Sequence, residues 1–444
     1  MGRCAVSTQK QKRPFALRAL AAFAGTLAIL FVLLLAAYAL PGERVRQHVY
    51  DSARTIQNEG LYPEYLGFKL FQMDNYTDTL MLFEAASADE LPPLQAMMTN
   101  TAYNVDNFET LADDLAWYIE KDWSTGAQRT DAPTLEPFSY ARYWHGYLIW
   151  LRPLLLLMPY TGVRIVQYIV LFALLAVVLV QLRRRCGLRA AVWFTVSQLA
   201  VSVWFVPHQV QYFTCFMIAY AGCAWVLAKP RRSDVLCLGL LVLGTATAFC
   251  DLLVTPIITL GLPLTCWLLE PQQRLRGGVP QCALAMGGSL CWGTGYALCW
   301  AGKWALAGAV TGNNVLADAL HQAEVRTTAD TWHGMELTWR NIFGFLYDTL
   351  NSHHLFWPAL AVLAVLIALF ILSIRSKTAL VRALPLALTT CMTPAWFVLL
   401  RTHSIQHGWF TWRALGLTVF AGLAFLYYAC DLRAARQRLQ KGSI

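Results

Sequence analysis

The stretch "HGYLIWLRPLLLLMPY" occupies residues 145–160, and whether it crosses a membrane decides the orientation of everything after it. The chain has 444 residues, 57% hydrophobic and 14% charged. Soluble domains are roughly a quarter charged, so an integral membrane protein is expected. Arg152, Pro153 and Pro159 interrupt the stretch, and it falls short of the about 17–25 apolar residues that a spanning helix needs. Counting it as a span would put the "RRRCGLR" run (183–189) outside and invert every later loop. It is therefore read as an amphipathic segment in the outer interface, feeding a span that starts after Arg164.

Ten spans follow from that reading: Ala19–Pro41, Ile165–Leu182, Ala190–Val206, Gln211–Ala228, Val235–Cys250, Leu252–Leu269, Pro280–Gly302, Leu355–Ile374, Ala383–Leu400 and Ala414–Cys430. With the amino terminus inside, the inward pieces hold 21 of the 35 Lys and Arg residues but only three acids, Asp234, Glu270 and Asp431. This positive-inside bias sets the orientation, with both termini cytoplasmic and the cell (plasma) membrane as the location. The net charge of +9 thus marks topology and gives no reason to expect nucleic acid. Ala37-Tyr38-Ala39 resembles a signal-peptide cleavage site, but the uncharged stretch before it is long for one, so an uncleaved anchor is expected.

The expected fold is an all-α integral membrane protein of about ten transmembrane helices with a large extracytoplasmic first loop, residues 42–164, that contains interfacial helices. Its acidic part, 42–143, carries 17 acids against 7 bases. Helices are expected over Glu43–Asn58 (continuing from the first span), Asp74–Ala86 and Asn107–Lys121. A second outward loop spans 303–354, and every inward loop is short, so any chemistry belongs on the outer face. None of the twelve cysteines lies between 42 and 143, and neither a disulfide framework nor a metal-binding CxxC pair is visible.

Candidate chemistry concentrates in the outward segments. In "FQMDNYTDTLMLFEAA" (71–86), Asp74 and Asp78 have helical i, i+4 spacing on one face. They are either a general base or cation ligand at the interface, or the solvated face of a surface helix. "YARYWHGYLIWLRP" (140–153) brings Arg142, His145 and Arg152 to the interface, as aromatic-belt anchors or as a site for an anionic headgroup. Asp251 follows the fifth span in "TAFCDLLVTPIITLGLPL" (247–264), as a turn marker or as part of a site. His353 and His354 precede the eighth span at the site mouth. "RTHSIQHGWFTWR" (401–413) packs Arg401, His403, His407 and Arg413 into one outer turn, which suits a phosphate or serves as an anchor. The second loop adds His321, Arg326, His333 and others, whose spacing matches no zinc motif. No resident cofactor is indicated, and a divalent cation is left open. Ionisable groups crowd one interface while the membrane midplane is nearly uncharged, which suits surface chemistry on a lipid-borne substrate better than transport.

The layout resembles the GT-C superfamily of polytopic glycosyltransferases, which includes protein O-mannosyltransferases and aminoarabinose transferases. Tyr143–Gly187 carries the resemblance most directly, as an interfacial helix, a second span and a basic inner end. "DNYTD" (74–78) and "CDLLVTPIITLGLPL" (250–264) are also similar to stretches in a group of bacterial membrane proteins of unassigned role. The resemblance implies transfer of a sugar from a polyprenyl-phosphate donor to an extracytoplasmic glycan, lipid or protein. It implies Asp74, with Asp78 second, as the acid that deprotonates or orients the acceptor, and Arg142, His145, Arg401, His403 and His407 around the phosphate. The family's first acid commonly stands close after the first span, whereas Asp74 lies about thirty residues on and the nearer Glu43 is flanked by Arg44 and Arg46. The alternative expectation is a non-catalytic membrane scaffold or partner subunit, or a lipid-linked glycan transporter.

Overall fold

The computed structural model describes residues 14–88, 90–103, 110, 114, 118, 137–274, 276, 278–328, 331, 332, 335, 336, 338, 341, 344–351, 354 and 356–431. Among them, six helices are long and apolar enough to cross a membrane: Phe15–Tyr38, Tyr160–Cys186, Val210–Ala228, Ser233–Cys250, Lys377–Leu399 and Gly408–Ala429. The chain is an all-α multi-pass membrane protein. The remaining expected spans are helical too, though Leu188–Ala200 and Ile257–Leu269 are only 13 residues long.

In chain order the helices used below are α1 (Phe15–Tyr38), α2 (Glu43–Glu59), α3 (Asn75–Ser87), α4 (Pro93–Thr99), α5 (Leu148–Leu155), α6 (Tyr160–Cys186), α7 (Leu188–Ala200) and α8 (Val210–Ala228). They continue with α9 (Ser233–Cys250), α10 (Ile257–Leu269), α11 (Gly278–Thr311), α12 (Val315–Thr328), α13 (Phe356–Ser373), α14 (Lys377–Leu399), α15 (Arg401–Gln406) and α16 (Leu415–Ala429). Strands are few and short: Thr101–Tyr103 pairs antiparallel with Pro137–Ser139, and Thr331–Trp332 with Met335–Glu336.

The deciding stretch forms α5, eight residues and hence about 12 Å, which cannot cross a bilayer. Leu148, Leu151, Arg152 and Leu155 lie buried at i, i+3, i+4 and i+7. Pro159 then starts α6 five residues earlier than the apolar run suggests. Other boundaries moved for local reasons. The chain breaks around Pro41 and Gly42, so α2 is a separate helix and not a continuation of α1. The expected third span ends early at Ala200, because Ser202 takes a left-handed φ of 54° and Val203–His208 follows as a 3₁₀ turn that contains Pro207. The expected Asn107–Lys121 helix lies largely outside the described residues.

Two glycines let α9 and α11 pack closely. A Cβ on Gly244 of α9 would lie 2.1 Å from the Trp292 carbonyl oxygen, and one on Gly295 of α11 would lie 2.2 Å from that of Leu241. The two backbones touch where a side chain would hold them apart, which is how apolar helices gain dispersion contact in lipid.

At the end of the bundle that carries α2–α4, polar side chains stitch the elements together. Asn100, left-handed at φ 47°, ends α4 and donates to the Tyr38 hydroxyl of α1 at 2.7 Å. Lys303, fully buried on α11, gives its ammonium to Met97 O (2.7 Å), Met98 O (3.3 Å) and Asn100 Oδ1 (2.6 Å). A buried charge is tolerable only with its donors satisfied, and here they are.

Candidate functional site

Asp74 is the N-cap of α3. Its carboxylate accepts from the Thr77 N–H (3.0 Å) and hydroxyl (2.9 Å), which satisfies an end that lacks helical partners. Its own N–H donates to Gln209 Oε1 at 2.9 Å, and Gln211 Nε2 stands 3.4 Å from Oδ2. Burial pushes the Asp74 carboxyl up to about 6, against the opposing pull of the Thr77 bonds.

Asp78, one turn on, points elsewhere. It accepts the Tyr160 hydroxyl and the N–H groups of Val210 and Gln211, both at 3.3 Å. These two N–H groups open α8, so the carboxylate meets the positive end of a helix dipole. Burial again dominates and pushes its carboxyl up to about 7, opposed by Tyr160 and the Arg164 charge. The solvated-face alternative is overturned, since Asp74 is 2% and Asp78 1% exposed. Both carboxylates do meet the start of α8, where Gln211 reaches Asp74 with its side chain and Asp78 with its N–H, but only Asp74 also lines a cavity.

That cavity, about 360 Å³, is floored by Asp74, Thr77, Leu80, Met81 and Glu84 of the α3 segment and roofed by Tyr62, Tyr140, Tyr147, Leu252, His407 and Trp409. Thr77, Met81 and Glu84 follow i, i+4, i+7, so one helical stripe faces the space. Glu84 went unremarked among its apolar neighbours in "MLFEAA". The available signal was that a lone carboxylate in an otherwise buried run must be paired or used. Its Oε2 accepts the Tyr147 hydroxyl and lies 2.7 Å from His145 Nδ1, while the buried Oε1 has no hydrogen-bond partner.

His145 is held by backbone geometry. Its φ of 56° is left-handed, and the next N–H, from Gly146, donates to Phe249 O at 2.9 Å. A Cβ on Gly146 would fall 2.5 Å from that same oxygen, so only glycine allows this approach. Trp144 stacks on Phe249 at 4.7 Å and donates to Cys299 O. His145 Nε2 is 3.1 Å from Tyr140 O. Its Nδ1 also lies 3.1 Å from the Tyr147 hydroxyl, so the ring is held at both nitrogens.

The 401–413 segment behaves differently from its sequence reading. His407 lines the cavity with its ring stacked on Phe410, and burial together with the Arg326 charge pushes it down to about 4. His403 lies 2.9 Å from Leu253 O and is pushed well below its usual range, first by burial. Both are neutral near pH 7, so either could offer a phosphate a hydrogen bond but no positive charge. Arg413 is buried against Tyr212 (4.5 Å to the ring centroid) and donates to Trp409 O and Leu70 O, a packing role. Arg401 opens α15, half-buried.

Arg152 is also away from the cavity lining, fully buried and donating to Leu40 O at 2.8 Å, which pins α5 to the end of α1. Asp251 accepts the Val254 N–H (3.1 Å) in the turn between α9 and α10. Burial pushes its carboxyl up to about 7, against hydrogen bonds led by the Cys215 thiol, and the turn-marker alternative is what its contacts describe. His354 is exposed in a turn, and His353 lies outside the described residues. Arg142 sits 4.6 Å over the Tyr140 ring and 3.3 Å from Asp318. It shares a second pocket of about 120 Å³ with Arg326, Tyr143, Tyr296, Trp300 and Trp304. Arg326, donating to the Tyr143 hydroxyl, is the cation that the candidate set lacked. Among the described residues, no three His, Cys, Asp or Glu side chains form a group that could hold a metal ion.

No family model, curated protein or solved structure matches the chain. Fold and site together define a multi-pass helical membrane protein with a carboxylate-lined cavity at one end of its bundle.

Proposed function

We propose that this protein is a membrane glycosyltransferase of GT-C type that moves a sugar from a polyprenyl-phosphate donor to an acceptor outside the cell (plasma) membrane. In this reading the chain crosses ten times with both termini cytoplasmic, and the cavity opens at the outer face. The observation that carries it is Glu84, a residue of the cavity wall: one carboxylate oxygen is clamped by Tyr147 and His145, and the other is buried without a hydrogen-bond partner. A general base needs this combination of fixed orientation and a free lone pair.

The acceptor hydroxyl gives its proton to Glu84 Oε1 while its oxygen bonds the anomeric carbon, and the bond from that carbon to the phosphate oxygen breaks. The departing polyprenyl phosphate takes the electron pair. Arg326 and Arg142, side by side in the aromatic pocket, suit its charge and the start of its isoprenoid chain. Asp74 lines the same space with its oxygens engaged by Thr77, which suits orientation of the acceptor better than proton transfer.

The test is purified protein in nanodiscs with a panel of polyprenyl-phosphate sugars, followed by mass spectrometry. Release of sugar or polyprenyl phosphate that is lost in Glu84→Gln supports the assignment. Turnover unchanged in that variant removes Glu84 as base, and absence of binding to every donor favours the scaffold reading.

A further inference from the structure

The opposite end of the bundle holds a different cavity. It measures about 230 Å³ and lies between the α10–α11 connection and the start of α14. Arg274, Arg276, Arg375 and Arg382 line it, and none of its lining residues is a carboxylate. Because α14 runs 23 residues, roughly 35 Å, from this end toward the His403 segment, the two cavities lie toward opposite ends of that helix.

The four guanidinium groups differ in how they are held. Arg274 is half-buried over the Tyr428 ring (5.0 Å) and donates to its hydroxyl at 2.5 Å, with its buried Nε left without a partner. Arg276, Arg375 and Arg382 are exposed and make no ion pair among the described residues. The nearest acid in sequence, Glu270, is committed to Arg185 at 2.7 Å and to Gln272. The floor is Gln281, 2% exposed, whose Nε2 is tied to Gln273 and whose Oε1 has no partner.

Positive charge at a helix-bundle end is ordinary in membrane proteins, and solvated arginines on a surface need no ligand. Here, however, four arginines share one concave space, and two of its lining residues, Arg274 and Gln281, each bury a polar atom that has no partner. Both orphans are costly unless something fills them. A phosphate group suits this lining: its oxygens accept from the exposed guanidinium groups of Arg276, Arg375 and Arg382, beside Arg274 and Gln281. We propose that this cavity is a binding site for a phosphate-bearing anion, distinct from the carboxylate cavity.

The phosphate can come from a lipid headgroup or from solution, and one experiment separates the two. Full-length protein in a neutral detergent is titrated with mixed micelles of phosphatidylglycerol, with matched phosphatidylcholine micelles, and with inorganic phosphate, with melting temperature and native mass spectrometry as readouts. Arg375→Gln/Arg382→Gln alters exposed residues only and should fold normally. It is expected to weaken binding at least tenfold, whereas Arg183→Gln/Arg184→Gln, exposed arginines outside the cavity lining, is expected to leave it unchanged. Saturable binding of phosphatidylglycerol over phosphatidylcholine assigns a lipid headgroup, and binding of inorganic phosphate alone assigns a soluble anion. Equal losses in both double variants, or no saturable binding of either probe, overturns the site. This outcome is independent of any glycosyltransferase activity.

Discussion

Two faces of one short helix carry carboxylates that meet opposite fates. On the side of α3 that packs on α8, Asp78 accepts three hydrogen bonds, two of them from the first N–H groups of that helix. On the side that faces the cavity, Glu84 has one oxygen held and one left over. Both side chains are at most 3% exposed, so burial does not distinguish them. Satisfaction does. A buried acid with every acceptor site used is part of the architecture, and one with a lone pair to spare is available for chemistry.

The comparison breaks first if Glu84→Gln leaves catalysis intact. With an accepted donor, the expected loss of turnover is about 10²–10⁴-fold, with little change in melting temperature. Asp78→Ala should invert this pattern. It strands the Tyr160 hydroxyl and two N–H groups, and is expected to cost about 3 kcal/mol of stability, read as a lower denaturation midpoint in detergent.

The pH dependence sharpens the same point. The carboxyl of Asp78 sits at about 7 in the folded protein, above the roughly 3.9 of an unfolded chain. Its contribution to stability is therefore complete below about 4 and is lost as pH rises through 7. His407, held down at about 4, has the opposite sign: its contribution is present above about 6.5 and lost as pH falls through 4. Melting temperatures of Asp78→Asn across pH 4–8 should decline less steeply than those of the parent. The smallest effect is at Asp74, where Asp74→Ala removes a helix cap at about 1 kcal/mol and Asp74→Asn restores it. Only the Asn variant can therefore report on chemistry at this position, because any loss in the Ala variant is mixed with that of the cap.

What the sequence disclosed was what depends on neighbours along the chain. The α3 helix lies within one residue of its expected bounds, and α5 is as short as its prolines and arginine required. What stayed hidden depends on neighbours in space. Counting charges in "RTHSIQHGWFTWR" gives two imidazoles beside two cations, yet burial makes His403 and His407 neutral, and Arg413 is spent on packing. Arg152 looked like a headgroup ligand because nothing local showed the Leu40 carbonyl that receives it. Glu84 was passed over because it had no charged companion within a turn, and its companions, His145 and Tyr147, arrive from about sixty residues later.

The buried Lys303 has a mechanical consequence. An ammonium has three protons, and here each has its own acceptor on the α4–Asn100 corner, which is in turn fastened to Tyr38 of α1. The lysine stem is flexible, so a grip on its tip acts as a tether in tension. Displacement of the long α11 at this end therefore pulls on the α4 corner and, through Asn100, on the end of α1. Opening at this end of the bundle has either to break that tether or to draw the three pieces along together.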